Sequence, residues 1–384
     1  MKHIPFHKAY IGKEEIKNVV DAVKSGWHTM GPKTIEFEQR FSAYTKAKYA
    51  ISVNSCTAAL HLALEAIGLK AGDEVLVPAI TFTASAEVVC YFKAKPVLVD
   101  VKRDTMEIDP SQIEAKITKK TKVIMTVDFG GQPADYNEIR KIAKKHKLFI
   151  IADAAHTLPS AYKGKKVGTL ADITCFSFYA TKTLDTGEGG MITTDNAAWA
   201  SRMKVMRLHG MNKDAWKRYS KEGSWFYEVV APGFKYNTTD INAALGLAQL
   251  DRLEWMASKR EEVAKYYYKA FENTPEIITP TIEADRQTSW HLYVIKLDLE
   301  KLKIDRNRFI QELSSRGVST SVHFIPLYRH PFYRDHFKLS VKSFPDSEWL
   351  FERIFSLPIY PGLTKLQLKH IASSVKEIVK LNKK

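Results

Sequence analysis

Apolar positions along the chain fall into two patterns. The residues Lys13-Glu-Glu-Ile-Lys-Asn-Val-Val-Asp-Ala-Val-Lys24 space theirs as one face of a helix, which Ser25-Gly26 ends. Gly31-Pro32 breaks the chain before a second helix, Lys33 to Thr45, with Ile35, Phe37 and Phe41 available for burial. Short, almost continuously apolar runs follow: Tyr49–Asn54, Gly72–Pro78, Lys95–Asp100, Lys122–Val127, Leu148–Asp153 and Ile173–Phe178. Helical segments separate them, at Ala58–Ile67, from Thr81–Ser85 onward and at Tyr136–Lys147. Strands of this kind alternating with helices predict a largely parallel sheet covered on both faces. In such a sheet the ligand lies beyond the carboxyl ends of the strands.

Met191–Thr194 reads as a returning strand, and residues 207–230 as a loop over the site. Pro232–Asp240 leads into one long helix from Ile241 to about Tyr268, and Pro275 and Pro280 then mark a boundary. Beyond them a strand (His291–Leu297), a helix (Arg306–Arg316), a second strand (Val318–Phe324) and a closing helix (Leu366–Leu381) make a compact α+β unit. The expected architecture is therefore α/β. A large domain over residues 1–255 holds a mostly parallel mixed sheet, and a smaller α+β domain spans 256–384.

Composition changes this picture little. At 384 residues, 45% hydrophobic and 26% charged, the chain has the makeup of a soluble globular protein. No apolar run approaches the roughly 20 residues that cross a bilayer, and the first residues contain no apolar signal core. Cys56, Cys90 and Cys175 lack paired spacing and read as reduced thiols of a cytoplasmic protein. The net charge of +15 asks for a partner decision. Its lysines cluster at Lys116–Lys122 and Lys141–Lys147 without interleaved aromatics or a helix-turn-helix pattern, which favours solvated helix faces over nucleic-acid binding.

The chemistry concentrates in Phe176-Ser-Phe-Tyr-Ala-Thr-Lys182-Thr-Leu-Asp-Thr-Gly-Glu-Gly-Gly190. A lysine placed between a buried strand and a glycine-rich turn can be partly desolvated, so that its amine is neutral. Ser55-Cys56-Thr57 stands where a strand runs into a helix, which is a helix cap or a phosphate site. Asp153 ends a strand and His156 follows it, and Phe82 lies in another strand-end loop. Asp153 is there either a helix cap or a buried charge awaiting a cation, and a lysine, an aspartate, an anion-binding helix start, Ser177 and a flat aromatic together suit pyridoxal 5′-phosphate (PLP).

These stretches, with Gly72-Asp-Glu-Val, Pro78, Tyr236-Asn-Thr-Thr-Asp-Ile-Asn-Ala-Ala-Leu-Gly246 and Val322-His-Phe-Ile-Pro326, resemble the DegT/DnrJ/EryC1/StrS family of PLP-dependent sugar aminotransferases over nearly the full length. The last two look most like the branch acting on UDP-linked 4-keto sugars. The resemblance implies fold type I and a homodimer with active sites at the interface. Lys182 is then the Schiff-base lysine and proton shuttle, Asp153 the partner of the pyridinium nitrogen, and His156 a contact to the ring's 3′-oxygen. Phe82 stacks on the ring, while Thr57, the Cys56 amide and Ser177 hold the phosphate. Lys235 or Asn237 of the partner adds a phosphate contact, and the region of His323 and Tyr328 lines the sugar-nucleotide pocket. The implied substrates are a nucleotide-linked keto sugar and an amino donor, glutamate. Cys56 stands where the family usually has Gly, Ala152 where an acid often precedes the aspartate, and Lys235 where many members have Asn.

Other readings fit less well. Gly187-Glu-Gly-Gly190 lacks the following Lys-Ser/Thr of a nucleotide loop. His323, His330 and His336 match no common metal spacing, so no metal is expected. A related PLP-dependent sugar dehydratase, which replaces the Schiff-base lysine with histidine, is opposed by Lys182. A DNA-binding regulator rests on the charge alone.

Overall fold

The computed structural model describes residues 3–212 and 226–384. The strands in chain order are β1 (Tyr49–Val53), β2 (Glu74–Pro78), β3 (Lys95–Val99), β4 (Thr121–Val127), β5 (Phe149–Asp153), β6 (Ala161–Tyr162) and β7 (Lys165–Lys166). They continue as β8 (Ile173–Ser177), β9 (Gly190–Thr194), β10 (Ile277–Ile278), β11 (Arg286–Gln287), β12 (Tyr293–Leu297) and β13 (Ile354–Leu357). Seven of them form one sheet in the order β1-β9-β8-β5-β4-β2-β3. The pairs β2/β3, β2/β4, β4/β5 and β5/β8 are parallel, and β9 runs antiparallel to both β8 and β1. The chain is thus α/β with a large, mostly parallel mixed sheet, as the alternation of apolar runs and helices predicts.

Helices sandwich this sheet. Cys56–Ala66 and Ala84–Tyr91 bury their apolar sides in the same core as Val75, Val77 and Ile192. Tyr136–His146 packs with Ile124, Ile150 and Leu76 in another. The amphipathic helix Lys13–Lys24 forms where its spacing predicts and buries Glu15 and Ala22.

Two expectations are corrected. The long helix is two, Asp240–Asp251 and Leu253–Phe271, broken at Arg252 (φ −105°, ψ 1°). The bend lets Leu250, Leu253 and Met256 join the core of the large sheet while Val263 and Tyr267 enter the core of β12 and β13. Val318–Phe324 is also not a strand. It makes only single bridges, Val318 with Ile4 and Ser321 with Ser356, and from the second bridge on Ser321, His323 and Phe324 line the site. The loop expected at 207–230 lies outside the described residues over 213–225.

β12 pairs with β10 and β13, and the helices Arg306–Ser315 and Lys365–Asn382 pack on this second, three-stranded sheet. Ile4, from the start of the chain, is buried in the same cluster. Among the described residues no helix is long and apolar enough to cross a membrane.

Candidate active site

A cavity of about 500 Å³ opens at the carboxyl ends of β4, β5 and β8. Its wall includes Cys56, Thr57, Phe82, Asp153, His156 and Ser177, with Lys182 and His323 alongside. The topology brings them together: β5 ends at Asp153, and β8, paired beside it, ends at Ser177 just before the lysine loop.

Asp153 is buried, and its carboxylate accepts Ser85 Oγ at 2.7 Å and the Ala155 N–H at 3.2 Å, with Cys56 Sγ at 3.9 Å. Burial pushes its carboxyl up, and the Ser85 and Ala155 bonds pull it down. Among the described residues it forms no ion pair, so a buried carboxylate here awaits a cation. Lys182 follows a tight turn in which its N–H donates to Tyr179 O at 2.8 Å. Burial lowers its amine to about 8, against the pull of Asp153 and Cys56. At neutral pH a useful fraction is therefore uncharged and nucleophilic.

The helix Cys56–Ala66 begins at the cavity wall, where the Ser55 hydroxyl accepts the Ala58 N–H at 3.0 Å. The Cys56 and Thr57 N–H groups, in the first turn, have no intrahelical acceptor and carry the positive end of the helix dipole. A Cβ on Gly190 would lie 2.7 Å from the Ser55 carbonyl atoms and 2.9 Å from Cys56 N, so this close approach requires glycine. Ser177 Oγ accepts the Tyr179 N–H at 3.3 Å, which leaves its own proton free to donate. Phe82 is 57% exposed and lies 5.9 Å from the Phe324 ring, an apolar face open to a planar ligand.

His156 Nδ1 accepts the Gly130 N–H at 3.3 Å, so the ring proton sits on Nε2. Burial and Lys182 hold this imidazole well below the usual range, hence neutral. His323 Nδ1 lies 2.8 Å from Ser356 Oγ, and burial followed by Lys182 lowers the ring to about 4.

These residues fit PLP: a neutral amine for its aldehyde, an unpaired buried carboxylate for its ring nitrogen, and helix-start amides with hydroxyls for its phosphate. The sequence profile described as the DegT/DnrJ/EryC1/StrS aminotransferase family matches residues 9–376. The chain belongs to that family. It is 45% identical over 378 residues to the spore coat polysaccharide biosynthesis protein SpsC of Bacillus subtilis, covering 98% of this chain and 97% of SpsC. Its fold superposes on Spr1654 of Streptococcus pneumoniae in its PMP form with a TM-score of 0.93 at 36% identity, over 98% and 99% of the two chains. PseC of Helicobacter pylori, an aminotransferase of pseudaminic acid biosynthesis, superposes with a TM-score of 0.92 at 29% identity, over 99% and 100%. Like its family, the chain is a PLP-dependent sugar aminotransferase.

Three residues singled out for this DegT/DnrJ/EryC1/StrS member lie away from the cavity. Tyr328 is fully buried, stacks on Phe344 at 4.6 Å and donates its hydroxyl to Glu348 at 2.9 Å, so its polar end is already used elsewhere. Lys235 is exposed, and its backbone bridges Leu208. Asn237 Oδ1 is buried without a hydrogen-bond donor among the described residues. The structure adds two histidines to the wall, His7 and His291, with His291 4.4 Å from the His156 ring. Each stood beside a feature visible in the sequence, His7 after Ile-Pro-Phe and His291 at the head of β12. The pairing of Ile4 with Val318 and the Phe6–His323 ring contact bring His7 to the site.

Proposed function

We propose that this enzyme moves an amino group from glutamate to the keto carbon, C4, of a nucleotide-linked keto-deoxy sugar, in the cytoplasm, for surface polysaccharide or glycan biosynthesis. What carries the reading is Lys182 and Asp153 on one cavity: a buried amine held at about 8 and a buried carboxylate that forms no ion pair among the described residues. When bound, PLP supplies an electron sink for the carbanion that forms at the donor's Cα or the sugar's C4.

The chain's own residues do the rest. Lys182 would hold the cofactor's aldehyde, and its amine, lowered to about 8, is matched to giving or taking a proton at the substrate carbon. Asp153 would keep a proton on the ring nitrogen, and His156, through Nε2–H, would donate to the ring's 3′-oxygen. Thr57, the Cys56 amide and Ser177 would hold the phosphate, and Phe82 would cover the ring. His323 lines the same cavity and would contact the sugar. Residues 1–255 form the cofactor domain and 256–384 the domain that closes over the sugar.

Enzymes of this family act as dimers, and the partner subunit's Lys235 or the partner subunit's Asn237 completes the phosphate site. The names of SpsC and PseC, in polysaccharide and pseudaminic acid biosynthesis, support the pathway class. The test is a panel of UDP-, GDP- and dTDP-linked 4-keto sugars with glutamate, following 2-oxoglutarate. Turnover of one nucleotide series supports the reading. Turnover of free keto sugars with no nucleotide-linked sugar accepted overturns it.

A further inference from the structure

We infer that Asp128 is a positioning residue for His156, fixing both sides of the hydrogen bond that keeps the His156 proton on Nε2. Asp128 follows the last residue of β4, Val127, which lines the cavity, and is fully buried. Its N–H donates to Asp153 O at 3.1 Å, which ties the ends of β4 and β5. Its carboxylate then reaches in two directions. Oδ1 accepts the Ala134 N–H at 3.0 Å and the Tyr136 hydroxyl at 2.9 Å. Oδ2 lies 3.3 Å from the Thr157 hydroxyl, which shares its one proton between this oxygen and Ala154 O, also at 3.3 Å.

Gly130 lies within the loop closed by the Asp128–Ala134 bond, and Thr157 is the residue after His156. One carboxylate therefore holds the loop that offers the Gly130 N–H and the turn that offers Nδ1. If either side shifts, the 3.3 Å bond between them opens and the imidazole can place its proton on either nitrogen. The Nε2–H that faces the cavity is then no longer assured. Asp128 touches neither substrate nor cofactor and acts only through this geometry.

The arrangement works against stability, which separates positioning from simple support. Groups facing Asp128 are Tyr136 from the following helix, Asp153 from β5 and Glu107 from the turn after β3. Burial pushes the Asp128 carboxyl up to about 7, the three donors pull it down, and Asp153 pushes it up again. A carboxyl raised on folding stabilises the fold below its unfolded range and loses that contribution as pH rises through about 7. At pH 8 the charged group is thus a burden, and Asp128→Asn, of the same shape, is expected to melt no lower than wild type.

The experiment uses holoenzyme at pH 8 and reads the half-reaction with any amino donor the wild type accepts, so it does not depend on the sugar. Asp128→Ala, which removes the acceptor for all three partners, is expected to keep its PLP and to lose roughly 10- to 100-fold in rate at saturating donor. The donor's half-saturating concentration is expected to stay as in wild type. Asp128→Asn is expected to rescue most of that loss, because its Oδ1 can still accept the Ala134 N–H and the Tyr136 hydroxyl and its Nδ2 can donate to Thr157 Oγ1. Asp128→Ala/His156→Gln is expected to lose no more than His156→Gln alone, because the two act as a unit. Thr157→Val, which removes one of the three partners, is expected to give a smaller loss in the same direction. A wild-type rate in Asp128→Ala, a loss in Asp128→Asn as deep as in Asp128→Ala, or additive losses in the double variant overturns the inference. If Asp128→Ala does not fold, an unchanged rate in folded Thr157→Val overturns it as well.

Discussion

Ser85 Oγ donates to Asp153 Oδ2 at 2.7 Å, across the cavity floor from the helix after β2 to the end of β5. This bond, the Ala155 N–H and the Cys56 thiol keep the carboxylate solvated by fixed donors instead of by a side-chain cation. The site can thus hold a buried anion ready for a charge that arrives with the ligand. Asp153→Ala is expected to lower kcat by roughly 10²- to 10³-fold while PLP remains bound. Ser85→Ala keeps the anion and costs about 1.5–3 kcal/mol of stability, since it removes a buried hydrogen bond to a charged group. Steady-state kinetics and thermal unfolding of the two variants read this difference.

Lys182 gives a pH dependence with a definite sign. Its amine drops from the usual lysine range to about 8 on folding. The protonated form is therefore disfavoured in the folded apoprotein at pH 7, and stability rises between pH about 8 and the unfolded lysine range. Lys182→Met apoprotein is expected to be more stable than wild type at pH 7, by up to about 3 kcal/mol. The gain is expected to disappear above the unfolded lysine range. For the same reason, capture of PLP by wild-type apoprotein is expected to speed up as pH rises through about 8. Unfolding curves and stopped-flow absorbance check the two halves.

Gly190 sets the distance between β9 and the start of the helix Cys56–Ala66. A methyl group there meets backbone atoms, which cannot swing aside as a side chain can. Gly190→Ala is expected to cost about 1–3 kcal/mol in stability and to weaken binding of PLP and of inorganic phosphate together, because it displaces the amides of Cys56 and Thr57. A titration with each ligand measures this. Weakened PLP binding with unchanged phosphate binding argues against a phosphate site at that helix.

How far the sequence reveals this site depends on the range of the interactions. Lys182, Asp153, Ser177 and Thr57 stand at strand ends and a helix start, positions that local periodicity marks directly. The break at Arg252 was hidden because no Gly or Pro announces it. The helix bends so that Leu253 and Val263 can reach different cores, a tertiary demand. The stretch Val318–Phe324 has the composition of a strand, but its neighbours offer single bridges only. Tyr328 sits beside a motif that faces the cavity, yet its burial under Phe344 and its bond to Glu348 depend on a helix later in the chain. His7 needs a pairing between the N-terminal segment and Val318, far apart in the sequence.

Site sharing between subunits predicts complementation. Lys182→Ala and Asn237→Ala homodimers are each expected to be impaired. A randomly re-assembled equal mixture is expected to recover about a quarter of wild-type sites, because one site in each mixed dimer carries both intact residues. Activity of the mixture equal to the mean of the two variants contradicts a cross-subunit role for Asn237.

The most direct measurement is a single half-reaction. PLP-loaded enzyme is mixed with glutamate, without sugar, and the loss of the aldehyde form of the cofactor is followed by absorbance alongside 2-oxoglutarate. Wild type is expected to convert fully with one 2-oxoglutarate per site, and Lys182→Ala is expected to convert at least roughly 10²-fold more slowly. Conversion of Lys182→Ala at the wild-type rate, or wild-type protein that binds no PLP, contradicts the account.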